Sequence, residues 1–148
     1  MTGQGKGRIL ALDLGDRRVG YALSDPLGLT AQPAGEFESG STRRNVETVR
    51  GLLESGEIDR VIVGHPLLLS GESGERAEQA RSFAELLRRS IPGVPVELWD
   101  ERLTTVEATE TLRATGTKRR RDRGLVDQVA AAGILRSYLA SHPEGGRG

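Results

Sequence analysis

Acidic side chains occur at three places in this sequence where the local pattern predicts burial. Asp13 lies at the end of a predicted buried strand, and Asp100 and Glu101 end another. Asp127 lies in the first turn of the last predicted helix. Carboxylates that meet in one place repel each other without a cation, and their hard oxygen atoms are the ligands of Mg²⁺ or Mn²⁺. Two such ions held side by side promote phosphodiester hydrolysis, so the three positions predict a metal site with this chemistry.

Each of the strand-end acids also has an alternative explanation. The strand around Asp13 is apolar on both faces, which is typical of a central strand, but its carboxylate could simply cap the following turn. Asp100 and Glu101 could form a charge cluster with Arg102. Because side chains alternate along a strand, Asp100 and Glu101 point to opposite faces, and either one could point toward a site.

Asp127 is distinguished by the helical stripe to which it belongs. An acid near a helix N-terminus is favourable for electrostatic reasons alone. This acid, however, shares one face with residues at helical spacing: Ala130, Ala131, Ile134 and Tyr138. That face is the core-facing side, which favours an inward position for Asp127.

A run of cationic residues directly precedes the Asp127 helix. Cations beside a carboxylate cluster would bind a phosphate backbone, although a solvated loop is the common alternative. The run comprises Lys118, Arg119, Arg120, Arg121 and Arg123. Aromatic residues make up 3% of the chain, which disfavours recognition of single strands by base stacking.

Length and composition indicate one domain that needs no covalent stabilisation. The chain has 148 residues, a length that fits a single folded unit, and its net charge is zero. It has no cysteine, which suits a reducing cytoplasm. All but Lys6 and Lys118 of its 21 cationic residues are arginine, whose planar fork suits phosphate. We expect a domain over residues 8–140, with flexible tails at 1–7 and 141–148.

Several other kinds of site have little support in the sequence. His65 and His142 are the only two histidines, which disfavours a zinc site and a Ser-His-Asp triad. We interpret His65 as a loop or core residue. No nucleotide-binding glycine motif is present, and no apolar run approaches the ~18 residues of a membrane span.

The order of predicted elements indicates a mixed α/β layer fold led by a hairpin. Three strands come first, followed by alternating helices and strands and by two final helices. The predicted strands are 8–14, 19–23, 32–37, 59–64 and 94–100, and the predicted helices are 42–55, 75–90, 104–114 and 125–139.

Three segments of the sequence resemble one protein family. Asp13-Leu14-Gly15, with Arg18 and Gly20 following, is similar to the opening motif of the YqgF/RuvX family. This family comprises bacterial Holliday-junction resolvases of the ribonuclease-H-like superfamily that are also implicated in maturing the 5′ end of pre-16S ribosomal RNA. The hexapeptide from Asp100 to Thr105, DERLTT, resembles the second signature, and Asp127 with the apolar residues after it resembles the third.

The resemblance implies a fold, a reaction and a set of site residues. The fold would be a mixed five-stranded sheet, with three antiparallel front strands and two added parallel strands, and with helices on both faces. Asp13, Glu101 and Asp127 would be the catalytic and metal-binding trio, which selects Glu101 over Asp100. The metal would be Mg²⁺ or Mn²⁺, with two ions in the site. The residues that would position phosphates are Arg17, Arg18, Arg102, Thr104, Lys118, Arg119, Arg120, Arg121 and Arg123.

The implied partners are nucleic acids. They would be branched DNA, precursor ribosomal RNA or both, with the ribosome as a further partner, and the chain would act as a monomer or homodimer. The segment Gly64-His65-Pro66 departs from the family's usual Gly-Leu-Pro. Two alternative functions remain at this point, a non-catalytic RNA- or ribosome-binding module and an actin-like phosphotransferase, and the second would need another domain.

Charge reversal across Arg119, Arg120 and Arg121 should weaken nucleic-acid binding to a similar degree for all sequences. It should also flatten the dependence of log Kd on log salt concentration, because each lost phosphate contact lowers that slope by about one. Binding titrations over a range of salt concentrations measure both effects. An unchanged slope would mean that these arginines are only solvated.

Overall fold

The computed structural model describes residues 7–54, 57–66, 74–101 and 123–142, with residues 123–127 described by their backbone alone. This part of the chain forms five strands and three helices, which follow one another in the predicted order. The strands are β1 (Arg8–Leu14), β2 (Arg18–Ser24), β3 (Ala31–Glu38), β4 (Ile58–His65) and β5 (Val96–Asp100), and the helices are α1 (Thr42–Leu53), α2 (Glu75–Ser90) and α3 (Arg123–Ser141).

The five strands form one mixed sheet in the order β3-β2-β1-β4-β5. β1 pairs with β2 and β2 with β3 in antiparallel fashion, whereas β4 and β5 are added parallel to β1. The predicted fold class, with three antiparallel front strands and two parallel added strands, is confirmed.

β1 is the central strand and is covered on both faces, as its apolar sequence predicts. Leu10 and Leu12 belong to one buried cluster, and Ile9 and Ala11 belong to the other. Leu10 and Leu12 are completely buried, and burial of a leucine side chain stabilises the fold by about 1.5–3 kcal/mol. The position of every residue at the end of this strand is therefore fixed by a well-packed core.

Helices α1 and α2 cover the face of the sheet that carries Leu10 and Leu12. Val46 and Val49 of α1 and Phe83 and Leu87 of α2 project into that cluster at helical spacing. Helix α1 begins after Ser41, whose side-chain oxygen accepts a hydrogen bond from the Arg44 backbone N–H. Serine is among the residues that are most favoured at this N-cap position.

Helix α3 covers the opposite face and packs across β1, β2 and β3. Its buried side chains include Ala131, Ile134 and Tyr138, which belong to the stripe expected from the sequence. The Trp99 indole of β5 lies edge-on to the Tyr138 ring, with 5.2 Å between ring centroids, and donates a hydrogen bond to the Ser137 hydroxyl. This contact holds the C-terminal half of α3 against β5, which is an outermost strand of the sheet.

Most element boundaries differ from the predicted ones by one or two residues, and the differences at β5 and the last helix bear on the site. β5 begins at Val96 rather than at residue 94, because the Val94 N–H donates to the Ile91 carbonyl in a turn that precedes Pro95. The last helix begins at Arg123 and ends at Ser141, so Arg123 is helical and does not belong to a basic loop. The predicted helix over 104–114 lies outside the described residues.

None of the three described helices combines the length and apolar character that crossing a bilayer requires.

Candidate active site

The carboxyl ends of β1, β4 and β5 lie at one edge of the sheet because the three strands are parallel. This is the edge at which open α/β sheets commonly bind ligands. Asp13, His65 and Asp100 lie at or next to the ends of these strands, and Glu101 follows directly. The first two acidic positions predicted from the sequence are therefore brought to one edge.

Asp13 lies on the α3 face of the sheet, between two glycine positions. It alternates with Ile9 and Ala11, which pack against α3, and it is half-buried. Gly20 of β2 is its register partner on one side. On the other side Leu12 pairs with Val63, so that Gly64 is the next residue of β4. The nearest register positions on both neighbouring strands are therefore glycines.

Glu101 lies on the same face as Asp13. Gly64 pairs with Trp99, whose ring packs with the α3 cluster, and the alternation of β5 then directs Glu101 to this face and Asp100 to the other. A Cβ added at Gly64 would lie 2.5 Å from Glu101 Oε2 and 2.7 Å from Ile134 Cδ1. The Glu101 carboxylate thus occupies space that is open only because residue 64 has no side chain.

The environment of Glu101 disfavours its charged form. Burial raises the pKa of its carboxyl above the ordinary value, the positive charge of Arg76 lowers that pKa, and the negative charge of Asp100 raises it. An acid whose negative charge is poorly solvated gains more from a bound cation than an exposed acid does. The burial of Glu101 is therefore consistent with a cation-binding role.

Helix α3 begins near the end of the sheet at which Asp13 lies. Gln128, the residue after Asp127, donates a hydrogen bond from its side chain to Glu36 of β3. Glu36 is paired with Gly20, which in turn is paired with Asp13. Helix α3 therefore starts over the edge that carries the other two acids, while the Asp127 side chain lies outside the described residues.

The described side chains contain no group of three His, Cys, Asp or Glu that could hold a metal ion. This finding applies to a set that lacks the Asp127 side chain, so it leaves the predicted trio untested. Asp13 and Glu101 provide carboxylate oxygens on one face, which are the donors that Mg²⁺ and Mn²⁺ prefer. The described residues thus fit such an ion in the chemistry of their donors.

The predicted phosphate-binding residues are described only in part. Arg17, in the tight turn that follows β1, and Arg18, the first residue of β2, are exposed, and the Gly15 N–H donates to the Arg18 carbonyl at 2.9 Å. They lie at the same edge as Asp13. The side chain of Arg123 is not described, and six further predicted residues lie outside the described part of the chain: Arg102, Thr104, Lys118, Arg119, Arg120 and Arg121.

His65 is the last residue of β4 and is half-buried. It pairs with Asp100 in the parallel register, on the face away from Glu101. Its Nε2 atom is buried and has no hydrogen-bond partner among the described residues. His65 therefore belongs to the end of a strand and not to the loop that follows it.

Two residues of this edge were not predicted as functional from the sequence. Gly64 provides the space for Glu101, and Arg76, in the first turn of α2, donates a hydrogen bond to the Leu14 carbonyl. A glycine at the end of a parallel strand is a weak signal in isolation, and no local pattern connects residue 76 with residue 14. Both roles depend on the order of strands in the sheet.

Substitution of Gly64 by Ala should displace the Glu101 carboxylate and reduce nucleic-acid cleavage at least about tenfold. The added methyl group would also overpack the contact with Ile134, at a cost of about 1–3 kcal/mol. Urea unfolding and cleavage rates measure the two effects. Gly51→Ala is the matched control, because a Cβ there meets nothing within 4 Å and should stabilise helix α1 by up to about 1 kcal/mol. A fully active Gly64→Ala variant would contradict the assigned role of this glycine.

Comparison with solved structures shows the same fold in Holliday-junction resolvases. The structure of "T. thermophilus RuvC in complex with Holliday junction substrate" superposes with a TM-score of 0.60 at 15% identity, over 92% of this chain and 96% of that one. The fowlpox virus resolvase in complex with Holliday junction DNA superposes with a TM-score of 0.55 at 14% identity, over 91% and 98% of the two chains. At these identities the similarity establishes the fold alone.

Sequence comparison gives a closer relationship. A protein of Halothermothrix orenii named "Putative pre-16S rRNA nuclease" is 42% identical over 132 residues, covering 89% of this chain and 94% of its own length. A protein of Myxococcus xanthus with the same name is 44% identical over 135 residues, covering 91% and 89% of the two chains. The profile of the RuvX family, described as Holliday junction resolvase, matches residues 7–141. With nearly its whole length matched by that profile, the chain belongs to the RuvX family.

Proposed function

We propose that this protein is a divalent-metal-dependent endonuclease that hydrolyses phosphodiester bonds in structured nucleic acid. The observation that carries the proposal is the position of Glu101. Its carboxylate lies against Gly64, on the face of the sheet where Asp13, the penultimate residue of β1, lies between two glycine positions. Membership of the RuvX family supports the same conclusion.

Asp13, Glu101 and Asp127 are the residues that would hold the metal ions, Mg²⁺ or Mn²⁺. The ends of β1 and β5 carry Asp13 and Glu101 on one face, and helix α3, to which Asp127 belongs, begins near the same end of the sheet. When bound by such carboxylates, a pair of these ions supplies an activated water molecule and stabilisation of the leaving oxygen.

The chain's own contribution is a rigid, charged edge. The paired strands fix the acids, so little reorganisation is needed when the substrate binds. Arg17 in the turn after β1 and Arg18 at the start of β2 are exposed, and they would contact phosphates on one side of the acids. Lys118, Arg119, Arg120, Arg121 and Arg123 precede Asp127 in sequence and would add further phosphate contacts.

Two kinds of substrate agree with the relatives of this protein. The RuvC structure contains a Holliday junction, and the relatives at over 40% identity are named for pre-16S rRNA. A cleavage panel of four-way junction, duplex DNA, single strand and precursor 16S RNA, with Mg²⁺ and with Mn²⁺, distinguishes them. If none of these substrates is cleaved, the result favours a non-catalytic RNA-binding module.

Asp13→Asn should abolish cleavage while nucleic-acid binding and the Tm stay nearly unchanged. The substitution preserves the shape of the side chain but removes the charge that would hold a metal ion. Single-turnover cleavage, binding titrations and thermal unfolding measure the three quantities. Asp16→Asn is the matched control, since Asp16 is exposed in the turn that follows, and it should retain cleavage. Full activity of Asp13→Asn would remove Asp13 from the mechanism.

The pH dependence of cleavage should reflect the ionisation of Glu101. Burial raises the pKa of Glu101, so at fixed metal concentration cleavage should fall as the pH falls through that raised value. The charge of Asp100 raises the same pKa. Asp100→Asn should therefore lower the pKa of Glu101 and shift the acidic limb of the pH–rate profile to lower pH.

A matched control for this shift is Asp59→Asn. Asp59 is exposed near the start of β4, at the opposite edge of the sheet, and its charge should leave the acidic limb in place. An acidic limb that moves to higher pH in Asp100→Asn would contradict the assignment of this limb to Glu101.

A further inference from the structure

Arg76 connects helix α2 with the edge of the sheet that carries the acids. It lies in the first turn of α2, and its Nη2 donates a hydrogen bond to the Leu14 carbonyl oxygen at 3.1 Å. Leu14 directly follows Asp13 and is the last residue of β1. The guanidinium of Arg76 is thus held within one residue of the proposed metal-binding acid.

The charge of Arg76 is balanced differently from that of two other arginines on its helix. Arg81 pairs with Glu78 at 3.6 Å and Arg88 pairs with Glu85 at 3.1 Å, each one turn away. Arg76 makes no ion pair with any residue in the described part of the chain, and its hydrogen bond ends on a neutral carbonyl. Its positive charge acts on Glu101, across the edge.

The Arg76 guanidinium can bind a second ligand in addition to the Leu14 carbonyl. The Arg76 residue is exposed, and a guanidinium has five N–H donors in a planar fork that matches phosphate oxygens. The bond to Leu14 uses one of these donors and restricts the orientation of the side chain. Arg76 is therefore partly ordered before any substrate arrives, which lowers the entropic cost of binding.

We propose that Arg76 is a substrate-binding residue that contacts a backbone phosphate of the nucleic acid beside Asp13 and Glu101. This inference rests on the proposed function, since it assigns a phosphate contact to the same site. Arg76 belongs to helix α2, for which the sequence predicts no functional role. It would hold the nucleic acid from the α2 side of the edge, while Arg17 and Arg18 approach from the hairpin side.

The test compares three variants, each in the Asp13→Asn background so that binding is measured without cleavage. Arg76→Gln removes the charge, Arg76→Lys keeps the charge without the fork, and Arg81→Gln removes one charge from the same helix. The probes are a fluorescently labelled four-way DNA junction and a precursor 16S RNA fragment. Titrations over a range of salt concentrations give the Kd and the slope of log Kd against log salt concentration.

Arg76→Gln should weaken binding about tenfold and reduce the salt slope by about one. Arg76→Lys should keep the salt slope of the parent, and Arg81→Gln should change neither quantity. Both Gln and Lys keep a side-chain N–H donor, and a purely structural role of Arg76 gives its charge no part in binding, so such a role predicts the same slope for the two variants. Equal slopes in Arg76→Gln, Arg76→Lys and Arg81→Gln would overturn the inference.

The result separates this inference from the proposed function. If the chain with Asp13 intact cleaves neither probe but the Asp13→Asn protein binds, the nuclease proposal fails while the slopes still decide the role of Arg76. If cleavage is observed and the slopes are equal, only the role of Arg76 fails. Absence of binding to both probes would overturn both proposals, and urea unfolding of each variant verifies that it is folded.

Discussion

A carboxylate at the end of a sheet needs room that the neighbouring strand must leave open. In this protein that room exists because β4 presents Gly64 beneath Glu101, where a Cβ would lie 2.5 Å from the carboxylate oxygen. The same missing methyl group lets Ile134 of α3 approach the strand. The absence of a side chain at Gly64 therefore allows both the position of the Glu101 carboxylate and the close packing of α3 on β4.

The parallel and the antiparallel parts of the sheet contribute different residues to the candidate site. The parallel strands β1, β4 and β5 bring their carboxyl ends to one edge, and with them Asp13 and Glu101. The antiparallel hairpin returns from that edge through Arg17 and Arg18 and places Gly20 beside Asp13. Acids and cations thus come to one edge from segments that lie far apart in the chain.

Most of the fold could be predicted from the sequence because its strands and helices carry strong periodic patterns. Helix α2 spans the predicted residues, Glu75–Ser90, and the apolar stripe of α3 is buried as expected. The start of β5 could not be predicted, because the turn before Pro95 uses a backbone hydrogen bond that leaves no clear pattern in the side chains.

The site was less predictable, for a physical reason. Because side chains alternate along β5, the sequence of this strand alone does not tell whether Asp100 or Glu101 faces α3. The pairing of Gly64 with Trp99 in the sheet puts Glu101 on the α3 face. The contribution of Arg76 depends on a hydrogen bond to a carbonyl 62 positions away. Such contacts follow from strand order, which local sequence does not specify, and the role of Asp127 remains a prediction.

The contact between Trp99 and α3 has a practical consequence. Trp99 is the sole tryptophan of the chain, it lies two residues before Glu101, and its indole is bonded to Ser137 and packed on Tyr138. Its fluorescence emission is therefore an intrinsic optical reporter of whether α3 is docked on the sheet. Because α3 also carries Asp127, the same signal would follow assembly of the site in real time, without any attached dye.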